Sequence, residues 1–119
     1  MSSGIITNLD SQYTNRNLVP DITAALGEAL SRLDDATMIQ RGKVVFVTIN
    51  NLSVNTNVDL QYIVNLPQPA NGYQVAGLFG QRLNSEGYDM FVLANNGRLR
   101  IISKAVNDLG YLSFTYIAK

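Results

Sequence analysis

The dipeptide Asn96-Gly97 lies between the apolar runs Tyr88–Ala94 (YDMFVLA) and Arg98–Ser103 (RLRIIS). It constrains the fold more than any other feature of the chain. Asn-Gly supplies positive φ at little steric cost, the backbone that lets a strand double back on its neighbour. The spacing therefore predicts a tight antiparallel hairpin.

The sequence around it is punctuated in the same way. Lys43–Ile49 (KVVFVTI) reads as a strand stopped by Asn50-Asn51. In Val58–Val64 (VDLQYIV), Val58, Leu60, Tyr62 and Val64 alternate with Asp59 and Gln61. Pro67, Pro69 and Asn71-Gly72 make LPQPANG a loop. Tyr73–Phe79 (YQVAGLF) follows as a strand with Gly77 inside it, Gln81–Gly87 is a polar loop, and Leu112–Ile117 (LSFTYI) closes the chain. The expectation is a mainly β protein whose head, over residues 42–119, is an antiparallel, jelly-roll-like β-sandwich.

Residues 20–35 (PDITAALGEALSRLDD) read as a short helix before that head. Pro20 suits a first turn, and Asp21 complements the positive end of the helix dipole. Ile22, Leu26, Ala29 and Leu33 recur at gaps of four, three and four, which is one apolar stripe. Gly27 weakens the helix, and a segment this short needs something to pack on. Two partners remain open: the sheet of its own chain, or the same helix from neighbouring chains. Asp34-Asp35 reads as a helix stop, because negative charge opposes the dipole at that end. Residues 1–19 read equally as an extended arm or loop that orders on a partner and as a mobile terminus, and residues 1–41 are set apart as an N-terminal arm and helix for anchoring and trimerisation.

The strand at Lys43–Ile49 carries an excess of apolar side chains. Val45, Val47 and Ile49 share one face, while Val44 and Phe46 share the other. One face can be the sandwich core; the other needs a second cover, either the helix or a neighbouring subunit. Only 15% of residues are charged, below the usual quarter, which agrees with surface facing protein. Ile22, Leu26, Ala29, Leu33, Val44 and Phe46 are the candidate oligomer interface.

Composition narrows the chemistry. The chain has no Cys and no His, which removes disulfides, thiolate zinc sites and triads built on either residue. Asp59, Glu86 and Asp89 are the sheet-region carboxylates with acidic neighbours, and nothing in their spacing makes them converge as a glycosidase pair. No calcium loop or phosphate-cradling glycine loop is present, so neither metal nor cofactor is expected. Nine cations balance nine acids without a basic block, which gives no footprint for nucleic acid. MSSGIITNLDSQYTNRN lacks the pattern of a secretory signal, and no apolar run reaches the roughly 20 residues of a membrane span. Synthesis in the cytoplasm without membrane insertion is expected. The binding resource is tyrosine, an apolar ring with a hydrogen-bonding tip. Tyr73 and Tyr88 stand at strand entries beside loops; with Arg82, Asn84, Arg98 and Arg100 they are the candidate ligand residues.

A strand ending in Leu66-Pro67, a short turn to Tyr73, the hairpin Asn96-Gly97-Arg98-Leu99-Arg100-Ile101 and a terminal Thr115-Tyr116-Ile117 form a familiar rhythm. Over about residues 43–119 the chain resembles the C-terminal heads of tailed-bacteriophage receptor-binding, tail-fibre and baseplate proteins. Gln74-Val75 stands where many such heads carry arginine-proline, and there is no Trp. The resemblance implies a non-enzymatic homotrimeric virion protein. Its N-terminal segment would meet other virion proteins, and its head would bind host-surface saccharide at the rim or between subunits. A purely structural capsid-fibre, decoration or assembly module is the alternative.

Overall fold

The computed structural model describes residues 13–72, 75–79, 89–103 and 109–119. It is a two-sheet antiparallel sandwich with one short helix. In chain order the elements are β1 (Tyr13–Asn17), α1 (Val19–Leu26), β2 (Leu30–Arg32), β3 (Asp35–Arg41), β4 (Val44–Val54), β5 (Val58–Asn65), β6 (Val75–Phe79), β7 (Asp89–Leu93), β8 (Arg98–Ser103) and β9 (Gly110–Ile117).

The first sheet is built on β4. β9 lines one edge of β4, with Val44 opposite Ile117 and Ile49 opposite Leu112. β3 and β2 follow one another along the other edge, Asp35 facing Asn50 and Arg32 facing Ser53, and β1 adds outside β3. The second sheet has the order β5-β8-β7-β6, with β6, β7 and β8 paired antiparallel in succession and β5 beside β8, which is Greek-key order.

Alternation explains the core. Val45, Val47 and Ile49 of β4 are fully buried, and β9 alternates strictly, with Leu112, Phe114 and Tyr116 inward. Leu93, Leu99 and Ile101 meet them from the second sheet. Phe91 of β7 stacks on Phe114 of β9, ring centroids 4.8 Å apart, and so joins the two layers. Gly77, opposite Phe91 on β6, leaves the room this ring occupies: a Cβ there would stand 2.9 Å from Phe91 Cε1.

The hairpin expected at Asn96-Gly97 is present. Gly97 has φ +89°, its N–H donates to Ala94 O at 2.9 Å, and Ala94 N–H donates to Arg98 O at 3.0 Å. Gly97 O also accepts Leu66 N–H at 2.7 Å, so the turn is tied to the end of β5. The isolated bridge Pro69–Ala118 holds part of the Pro-rich loop against the end of the chain.

The helix is shorter than its stripe predicts. Asn17 Oδ1 accepts Val19 N–H at 3.0 Å at its start. It ends at Leu26, because Gly27 takes φ +53° and leaves the helical region. A 3-10 turn over Gly27–Ala29 follows, closed by Asn55, whose N–H donates to Ala29 O and whose Nδ2 donates to Glu28 O. The remainder of the expected helix is β2, the link at Leu33-Asp34 and the first residue of β3. β3 itself, DATMIQR, was not anticipated: Ala36 and Met38 are its only buried apolar residues, so its pattern is weak. Asp34-Asp35 therefore stops no helix. Asp34 instead accepts both Arg32 Nε and Arg32 Nη2, and Asn51 Nδ2, across the bulge where Asn51 adopts φ +56°.

Two further expectations change. Ile22 and Leu26 are buried in the protein's own core, with α1 against β5 and β3, and Ala29 and Leu33 pack partly on the same core. The helix stripe is satisfied inside one chain, and Ile22 and Leu26 offer no surface to another. The boundary between residues 41 and 42 falls in the β3–β4 hairpin, whose arms pair from Arg41–Val44 to Asp35–Asn50. The helix and β1–β3 thus belong to the sandwich rather than to a separate anchoring segment.

Candidate functional site

The outer face of the second sheet gathers two arginines on one tyrosine. Arg98 and Arg100 are two residues apart on β8, so both point away from Leu99 and Ile101, which are fully buried. In register, Arg100 stands opposite Tyr62 of β5, and Arg98 opposite Asn65. Both guanidinium carbons lie over the Tyr62 ring, 4.0 Å from its centroid for Arg100 and 5.1 Å for Arg98. Among the described residues neither arginine has a carboxylate partner. Arg100 Nε is buried and donates to no acceptor among the described residues.

Beside this cluster, β1, α1 and β5 enclose a groove of about 260 Å³, lined by Arg16, Asp21, Ala25, Tyr62, Ile63, Val64 and Asn65. Arg16 is held across it. Nη2 donates to Asp21 Oδ2 at 3.0 Å and Nη1 to Asn65 O at 2.8 Å. Pro20 and the helix start place Asp21 in the first turn, where this exposed pair forms.

Strict alternation along VDLQYIV places Tyr62 on one face with Val58 and Val64. β5 is irregular: its pairing with β8 shifts register between Val58 and Gln61 and again between Tyr62 and Val64. The shifts put both Ile63 and Val64 inward and leave Tyr62 41% exposed. A period-two reading does not anticipate this, because nothing in VDLQYIV announces a bulge. Of the expected ligand residues, Arg98 and Arg100 come together, while Tyr73, Arg82, Asn84 and Tyr88 lie outside the described residues. Arg16, Asp21, Tyr62 and Asn65 are the additions the tertiary structure makes.

Other candidates resolve differently. Asp89 is buried and accepts Ser103 Oγ at 2.7 Å, its cross-strand neighbour. Tyr116 is buried, and its hydroxyl donates to Pro67 O at 2.8 Å; burial pushes its phenol above the ordinary tyrosine range. Among the described residues no group of three or more carboxylates gathers as a metal site, and no helix is long and apolar enough to cross a membrane.

A second surface lies on the outer face of the first sheet. Val44 is 46% exposed, Phe46 38% and Ile117 52%. Val44 faces Ile117 across β9, and Phe46 faces Ile39 across β3, so these side chains form one apolar stripe. The helix lies against β5 and β3 without burying it. No family model matches the chain, and neither curated proteins nor solved structures give a significant match.

Proposed function

We propose that this protein is a non-enzymatic, homo-oligomeric attachment head of a virion, a trimer in its expected form, that holds host-surface saccharide. The observation that carries the reading is the Val44–Phe46–Ile117 stripe, exposed on adjacent strands of a sheet whose opposite face already fills the core. Covering apolar area gains roughly 25 cal/mol per Å², and a second copy of the same chain supplies a matching surface. With Ile22 and Leu26 in the core, the sheet rather than the helix makes the contact. Several weak saccharide sites on one assembly raise effective concentration, so modest single-site affinity is enough to hold a particle.

The same stripe suits a purely structural fibre or decoration module. Arg98 and Arg100, over an exposed Tyr62 and without a carboxylate partner among the described residues, favour the ligand-bearing reading. Sedimentation at micromolar concentration tests the assembly. An oligomer that Phe46→Ser converts to monomer supports it, and a monomeric wild type removes its basis. Pull-down with host cells tests attachment: saturable binding separates a head from a structural module.

A further inference from the structure

Two like charges on one aromatic ring repel each other. Arg98 and Arg100 are nonetheless held over Tyr62, at 5.1 and 4.0 Å, with no carboxylate between them among the described residues. A guanidinium pair of this kind gains most from an anion with several acceptor oxygens, because charge-assisted bonds then replace mutual repulsion. Arg100 Nε, buried and without an acceptor among the described residues, adds that the hydrogen-bonding capacity of this guanidinium is not met within them.

The groove that shares Tyr62 with the arginine pair, though neither arginine lines it, sets the size of what accompanies the anion. Its volume of about 260 Å³ is below the roughly 300–1,000 Å³ of drug-sized sites, which suits one sugar ring. Asp21 and Asn65 line it with groups able to meet hydroxyls, over the buried Ile63 and Val64. Arg16 is already satisfied by Asp21 and Asn65 and acts as a wall.

We propose that Arg98, Arg100 and Tyr62, together with this groove, form a binding site for an anionic saccharide unit, a sugar bearing a carboxylate or a phosphate. The anionic group sits on the two guanidiniums, and the ring occupies the groove beside Tyr62. The inference names the ligand chemistry of the attachment role proposed above and rests on that reading.

The test is calorimetric titration of the full chain at low salt with glucuronate, glucose 6-phosphate, glucose and inorganic phosphate. Glucuronate or glucose 6-phosphate should bind at least about tenfold more tightly than glucose, and Arg98→Gln or Arg100→Gln should weaken that binding about tenfold. The stronger of the two charged sugars identifies carboxylate or phosphate as the favoured group. Arg41→Gln, on the other sheet, should leave it unchanged. Arg98 is exposed, so Arg98→Gln keeps the test valid if Arg100→Gln unfolds, and thermal melting checks both variants. Glucose binding as tightly as the charged sugars overturns the anionic assignment while leaving the attachment reading in place. Inorganic phosphate binding as tightly as glucose 6-phosphate overturns the saccharide part. Absence of binding by every probe overturns the site, and host-cell pull-down then decides the attachment reading separately.

Discussion

Phe91 on one sheet and Phe114 on the other stack with their planes 17° apart, and the second sheet is seated on the first partly through this contact. Phe114 also stacks on Tyr116, centroids 5.9 Å apart. Phe114→Ala removes a ring from the middle of that series. A loss of about 3–5 kcal/mol in unfolding free energy is expected, measured by urea denaturation. Gly77→Ala should cost less, about 1–3 kcal/mol, because the Phe91 ring edge has to yield to the new methyl.

Gly97 and Gly42 both have positive φ, but their surroundings differ. A Cβ at Gly42 meets open space, whereas one at Gly97 collides with the Leu66 carbonyl. Gly42→Ala should cost about 1–2 kcal/mol, the left-handed backbone term alone. Gly97→Ala should cost clearly more and also loosen the Leu66 N–H to Gly97 O bond, seen as faster amide exchange at Leu66.

Tyr116 gives the protein an alkaline limit. Its folded phenol lies above the ordinary range through burial, so the neutral form is the one the fold favours. The associated stability is complete below the unfolded tyrosine value near 10 and is lost as pH rises from there toward the folded value. Denaturation at successive alkaline pH values should show this decline, and Tyr116→Phe should flatten it. That variant gives up the bond to Pro67 O, worth about 1 kcal/mol at neutral pH.

At the acidic end, Arg32 and then Asn51 hold the Asp34 carboxyl below its usual range. A lowered carboxylate value contributes stability that is present above the unfolded value near 4 and lost as pH falls through the folded one. Asp34→Asn should reduce the acid dependence of stability. Because Arg32 and Asp34 are solvent-exposed, high salt should shrink the difference between wild type and variant.

Local chemistry alone determined the hairpin at Asn96-Gly97, the strand over Arg98–Ser103, the first part of β4 and the all-β character of the head, because turn geometry and alternation act between near neighbours. The stop expected at Asn50-Asn51 is absent, because β4 passes through both residues as a bulge and pairs on to Val54. Local chemistry also marked Val44 and Phe46 as surplus to the core, and both are exposed. Tertiary structure decided the rest. The stripe Ile22–Leu26 fits its own sheet and a foreign helix equally well on paper, and only the placement of α1 against β5 chooses between them. The weak run DATMIQR becomes a strand because β4 offers it an edge and the Gly27 backbone has already ended the helix. Tyr62 meets Arg98 and Arg100 through two register shifts between distant segments, a property of strand pairing that no residue in either strand encodes by itself.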